Sequence, residues 1–282
     1  MRRQRRRAGS DDSYRRRGRG PSGPPVAANS SGSATAATRR TLTYTLVLSV
    51  VEDLQQRAQR IADSRGAMRV YRVVRRLIIV LLYPYFRVQR HGCEHLDITG
   101  PVIVAPIHRS NLDTPMLAGM TRRRLRTLSK ESLFSNRLFG DFLASLGAFP
   151  VRRAAADREA MREAVRMLQA GEQLVVFPEG ARNSGAEVGP VFDGVSYLAS
   201  RTGAVVVAVG IAGTEQAMPP GVRLPRPVRV AMVAAEPLRP PAKRMTRPQM
   251  SDFSEQVRLR LQDVFSQAQA LTLEVGQKGE SG

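Results

Sequence analysis

The chain has 282 residues, with 44 Lys and Arg against 24 Asp and Glu, for a formal net charge of +20 at pH 7. Cys93 is its single cysteine, so no intrachain disulfide can form and nothing marks the chain as secreted. The cation excess favours polyanionic partners: nucleic acid, an anionic membrane surface, or phosphorylated or CoA-bearing substrates.

Residues 1–40 hold eleven arginines against two aspartates, with almost no apolar side chains. Too little apolar surface is present to offset chain entropy, which predicts a disordered Arg-rich tail. Its basic start runs on without an apolar stretch, so no signal peptide is expected. The rest suits one sizeable domain plus an appendage. No run reaches the ~18 consecutive apolar residues of a spanning helix. The longest, LIIVLLYPYF (77–86), contains a proline.

Residues 41–64 predict a helix that starts apolar and ends charged. After Gly66, Arg69, Arg72, Arg75 and Arg76 recur at helical spacing beside Val70, Val73, Val74, Leu77 and Leu81. A basic amphipathic helix that becomes wholly apolar suits the membrane interface, with guanidinium groups at the phosphates. Residues 41–86 are therefore expected to be amphipathic membrane-associating helices.

From Val88 short apolar runs alternate with helical segments. PVIVAPI (101–107) predicts a strand, and TPMLAGM starts a helix with Pro115 in its first turn. DREAMREAVRMLQAG places Met161, Val165 and Leu168 on one face, with Gly171 as the stop. EQLVVFPEG reads as a strand ending in a turn. GVSYLASRTG is a short helix closed by Gly203. AVVVAVGI and VRVAMVAAEPL are further strands, and SDFSEQVRLRLQDVFSQAQA is a last amphipathic helix before a flexible end at 271–282. This alternation predicts an α/β fold with a largely parallel central sheet flanked by helices.

Sites in such sheets form where loops leave the carboxyl ends of strands. His108 stands at such an end, five residues before Asp113. In a strand–turn–helix corner that offset can fold the carboxylate back onto the imidazole, fixing its tautomer and leaving the other nitrogen free to take a proton. A polar corner is the plainer alternative. LVVFPEGARNSG adds Glu179, Gly180 and Arg182 at a second strand end, and Lys130, Arg152 and Arg153 lie between. Glycine allows close backbone approach, and arginine forks onto phosphate.

At these residues the chain resembles the glycerolipid acyltransferases, specifically the lysophosphatidic acid (1-acylglycerol-3-phosphate) acyltransferases, from about Arg87 to Phe265. The family's N-H-x4-D block matches His108 to Asp113, with Ile107 for the common Asn. Its G-x-[IF]-x-[VI]-x-R block matches Gly147 to Arg153, and F-P-E-G-[TS]-R-[ST] matches Phe177 to Asn183. Ala181 and Asn183 replace usual hydroxyl residues, and Ala208 stands where a proline is expected.

The resemblance implies an acyltransferase catalytic domain over 87–270 that makes phosphatidic acid. The donor would be acyl-CoA or acyl carrier protein, and no cofactor is implied. His108 would be the general base and Asp113 its orienting partner. Glu179, Gly180 and Arg182, with Arg153 and Lys130, would bind lysophosphatidic acid. Glycerol 3-phosphate or another lysophospholipid is the alternative acceptor. The expected location is the cytoplasmic face of the cell membrane, peripheral or monotopic.

Three rival readings carry less. Ser110 is a possible nucleophile, but no G-x-S-x-G surrounds it. On a strand His91, Cys93 and His95 would share one face like metal ligands, yet a fourth ligand is missing, and no metal is expected. A nucleic-acid binder would suit the charge, but no aromatic residues interleave the arginines and no RRM, KH or helix-turn-helix pattern appears, so nucleic acid is disfavoured as a partner.

Overall fold

The computed structural model describes residues 52–151, 156–219, 221, 222, 224–241 and 244–273. The expected Arg-rich tail, the first part of the helix read over 41–64, and Arg152 and Arg153 lie outside them. In chain order the elements are α1 (52–62), α2 (Arg65–Leu77), α3 (Tyr83–Tyr85), β1 (Gln89–His91), β2 (Val102–Pro106), α4 (Asp113–Leu117), β3 (Leu125–Lys130) and α5 (Arg137–Ser145). They continue with β4 (Ala148–Val151), α6 (Ala156–Gln169), β5 (Gln173–Val175), α7 (Gly194–Thr202), β6 (Val205–Ala212), α8 (Thr214–Ala217), β7 (Ala231–Ala234) and α9 (Arg247–Leu273).

The strands form a seven-stranded sheet in the order β1-β7-β6-β2-β5-β3-β4. The β6-β2-β5-β3-β4 pairings are all parallel; β7 joins β6 antiparallel and pairs β1 parallel. The expected α/β class with a largely parallel sheet is what the chain forms. Burial on both faces explains why β2 and β6 read as unbroken apolar runs. Along β2, Val102 and Val104 pack into one core cluster while Ile103 and Ala105 pack into the other, the two-residue period of a strand. Helix α9 supplies Phe253 and Val257 to the second cluster and Leu261, Val264 and Phe265 to the first. It continues to Leu273, beyond the expected start of a flexible end at 271.

Three strands were not legible as such, the first of them β1, which reads only Gln-Arg-His. β3 reads Leu-Arg-Thr-Leu-Ser-Lys, and its Arg126 is buried, with the guanidinium 3.0 Å from Glu172. β4 follows Gly147, in the block that was read only for its arginines. One reading is corrected. His91, Cys93 and His95 do not share a strand face, because Gly92 takes a left-handed conformation (φ +70°) and residues 93–95 wind into a 3-10 turn. Cys93 Sγ lies 3.7 Å from Met120 Sδ, and burial raises its thiol pKa, the opposite of what a metal-binding thiolate needs.

Helix α2 begins where the Ser64 hydroxyl accepts from the Ala67 N–H. Past Leu77 the helix widens into a π turn over Ile78–Leu82, directly before Pro84, whose ring cannot sit in an α-helical interior. This element and Arg90 of β1 are tied to the end of α4 and the turn that follows it. The Tyr83 hydroxyl donates to the Met116 carbonyl at 2.7 Å. Arg75 Nε donates to the carbonyls of Ala118 and Thr121, and Arg90 Nη1 to that of Gly119. Burial pushes the Tyr83 phenol well above its ordinary pKa, so it remains a donor. Arg75 therefore turns inward, while Arg69, Arg72 and Arg76 face solvent.

Gly210 is where α9 crosses β6 most closely. A Cβ there would sit 2.2 Å from the Val264 carbonyl oxygen, a contact with backbone that a rotamer change cannot relieve. Gly210→Ala should therefore lower the thermal midpoint by about 3–10 °C, the equivalent of ~1–3 kcal/mol of overpacking. Calorimetry of the two proteins checks this.

Candidate active site

Three adjacent parallel strands, β6, β2 and β5, deliver their carboxyl-end loops to one place. The loop after β2 carries His108, that after β5 carries Phe177 to Asn183, and that after β6 carries Gly213 and Thr214. His108 Nδ1 lies 3.0 Å from Asp113 Oδ2, so the five-residue corner does fold the carboxylate back onto the ring. An ionised carboxylate can only accept, which assigns the proton to Nδ1 and leaves the Nε2 lone pair available. The imidazole stacks on Phe177, with ring centroids 3.8 Å apart.

Asp113 is fully buried and its two oxygens collect four donors. Besides His108, Oδ2 accepts the backbone N–H groups of Arg109 (2.7 Å) and Ser110 (2.8 Å). Oδ1 accepts the Thr214 hydroxyl at 2.6 Å. Such saturation lets a carboxylate stay charged without water. It also fixes the carboxylate's orientation, and with it the ring's.

The expected ligand set divides. Arg182 is exposed, donates to Asn111 Oδ1 at 3.0 Å, and lines a cleft of about 640 Å³ with His108, Asn111, Gly180, Glu215 and Met218. Gly180 also borders it in a left-handed conformation (φ +68°), packed so closely that an added Cβ would meet the Phe192 ring at 3.1 Å. Glu179, by contrast, has no access to the cleft. Its fully buried carboxylate accepts from Arg109 Nη1 at 2.9 and 3.2 Å, from Asn183 Nδ2 at 2.9 Å and from the Gly189 N–H at 2.9 Å. Lys130 is exposed at the end of β3, two strands from β2, and is not among the residues lining the cleft.

Ser110 has no contact with the base. Its hydroxyl donates to the Met218 carbonyl and accepts from the Leu112 N–H. Two of the departures from the family's pattern also acquire places. Asn183 turns its amide onto Glu179, its N–H donates to the His108 carbonyl, and Ala208 is buried inside β6.

Sequence reasoning passed over Arg109 and Thr214. The Arg109 guanidinium lies over Phe265 and also donates to the Glu187 carbonyl. Thr214 follows the third strand end, the position at which the strand-end rule could have flagged it.

A largely parallel α/β sheet thus brings a His–Asp pair and an exposed arginine to one cleft at its strand ends. Residues 87–212 match the family model described as Acyltransferase. The chain is 26% identical over 145 residues to 1-acyl-sn-glycerol-3-phosphate acyltransferase LPAT1 of Arabidopsis thaliana, covering 50% of this chain and 40% of that protein. It is 26% identical over 152 residues to 1-acyl-sn-glycerol-3-phosphate acyltransferase of Bacillus subtilis, covering 54% and 73%. The chain thus spans less than half the length of the Arabidopsis relative. In fold it is similar to the 1-acyl-sn-glycerophosphate acyltransferase PlsC of Thermotoga maritima, with a TM-score of 0.60 and 22% identity, covering 78% of this chain and 91% of that one.

Removing the charge of Glu179 leaves Arg109 buried and unpaired, which costs about 3–5 kcal/mol. Urea unfolding should show this loss for Glu179→Gln. A large part should return in the Glu179→Gln/Arg109→Met pair.

Proposed function

We propose that the protein transfers a fatty acyl group from acyl-CoA or acyl carrier protein to the free hydroxyl of 1-acylglycerol 3-phosphate, giving phosphatidic acid. The observation that carries this is the His108–Asp113 pair, with its free Nε2 in the same cleft as Arg182. His108 Nε2 takes the proton of the acceptor hydroxyl as its oxygen attacks the thioester carbonyl. The tetrahedral adduct collapses, the thiolate leaves, and the imidazolium returns the proton to it. Asp113 balances the imidazolium charge. No enzyme nucleophile takes part, in keeping with the position of Ser110. Arg182 and Asn111 hold the acceptor phosphate, where a guanidinium can offer two parallel donors. Glu179 and Arg109 position these loops and do not touch substrate.

The lipid acceptor requires contact with a bilayer, and among the described residues no helix is long and apolar enough to cross one. Attachment is through the outer face of α2 and the π turn. Val73, Leu77, Val80 and Leu81 are each 50–61% exposed there, flanked by Arg69, Arg72 and Arg76. Apolar residues entering the acyl boundary with arginines at the phosphates make a monotopic attachment.

The test is transfer by purified protein from acyl-CoA to a panel of lysolipids and glycerol 3-phosphate. Lysophosphatidic acid should be the preferred acceptor, and a preference for glycerol 3-phosphate would replace it. A folded His108→Ala protein should lose ~10²–10⁴ of the rate, and Asp113→Asn nearly as much. Arg182→Lys keeps charge but loses the fork, so the KM for the acceptor should rise with a smaller change for the donor. An effect confined to the donor would assign Arg182 to the other substrate.

A further inference from the structure

A second polar recess lies away from the catalytic cleft, at the corner between α1 and α2. It has a volume of about 580 Å³ and is lined by Ala62, Asp63, Ser64, Arg65, Met68, Arg69, Arg72 and Arg124. Four guanidinium groups thus border one concavity. Arg65, Arg69 and Arg72 are exposed and have no hydrogen-bond or ion-pair partner among the described residues. Arg124 sits deeper, its side chain only 10% exposed; its Nη1 already donates to the Ala62 carbonyl at 2.6 Å, and Glu172 approaches its Nη2 at 3.8 Å. Asp63 is the one carboxylate in the lining and already accepts from Gln59 Nε2.

A row of arginines on a solvated helix usually attracts anions only diffusely. Here the spacing and the recess do more. Arg65, Arg69 and Arg72 are spaced at four and three residues, so they share one side of α2. Arg124 comes from the start of β3 and closes the concavity from another element. Next to this basic column, on the same helix, are the exposed Val70, Val73 and Leu77. An anion held in the recess would therefore be placed beside an apolar strip, as a lipid phosphate is placed beside its acyl chains.

We infer that this recess is a headgroup site for a phosphomonoester lipid, separate from the catalytic cleft. A phosphomonoester offers three terminal oxygens and up to two charges, which several guanidinium forks can share. A phosphodiester offers two oxygens, one charge and a bulky second substituent. If the proposed reaction holds, both its acceptor and its product carry the monoester group. The recess would then hold the protein where its own substrate and product accumulate. The lipid binding itself needs no catalysis.

The experiment uses the full chain, without acyl donor, and vesicles containing phosphatidic acid or phosphatidylglycerol at matched surface charge. Two variants remove equal charge: Arg65→Gln/Arg72→Gln inside the recess, and Arg76→Gln/Arg87→Gln outside it. All four side chains are exposed, so neither pair disturbs the core. The wild-type protein should prefer phosphatidic acid vesicles by about tenfold, the size of one well-formed charge-assisted contact. The recess pair should erase that preference. The outside pair should weaken binding to both vesicles and keep the preference. Equal wild-type affinity for the two lipids, or a preference that survives the recess pair, would overturn the inference. Transfer assays fail or succeed independently, so a wrong reaction and a wrong lipid site are separable.

Discussion

The buried carboxylate of Asp113 is the constraint to which the site is built. A charge removed from water is tolerated only when every lone pair is met, and here the donors come from different parts of the chain. Two are backbone groups of its own corner, one is the imidazole, and the fourth is a hydroxyl 101 residues later. The last of these requires the end of β6 to stand beside the end of β2. Their parallel pairing from Val102–Val205 to Pro106–Val209 provides that. The sheet register and the orientation of the histidine are thus one requirement expressed at two scales.

A second lock repeats the logic one strand over. Arg109 and Glu179 bury opposite charges between the loops after β2 and β5, and Asn183 and Gly189 complete the carboxylate. The backbone N–H of Asn183 also reaches the His108 carbonyl at 3.1 Å. The loop after β2 is therefore held from both sides, by the Asp113 carboxylate and by the buried Arg109–Glu179 pair, while Arg182 and Asn111 stand at the exposed wall of the cleft. Buried anchoring and cleft lining are divided between Glu179 and Arg182, residues of the same turn.

Much of this was legible in the amino acids. The H-x4-D spacing, the apolar run before it and the F-P-E-G turn located the pair, the cleft-lining arginine and the fold class. Glu179 was named as a ligand from the family resemblance; its carboxylate is buried against Arg109, a direction that sequence does not reveal. The same ignorance hid β3, whose Arg126 looks solvent-seeking but is buried against Glu172. His91, Cys93 and His95 alternate as strand residues do. The left-handed Gly92 between the first two ends that register, a backbone event that side-chain periodicity does not record.

The ties between α2–α3 and the carbonyls after α4 have a mechanical meaning. Tyr83, Arg75 and Arg90 grip residues 116–121, and α4 itself begins with Asp113. The amphipathic element and the Asp113 carboxylate that contacts His108 thus belong to one stiff lever only a few residues long. Whatever surface the outer face of α2 rests on, the histidine stands at a set altitude above it. In the proposed reaction a lipid would have to be lifted by that amount, or bend its headgroup to reach it. Altitude, as much as pocket shape, then becomes a means of choosing among acceptors.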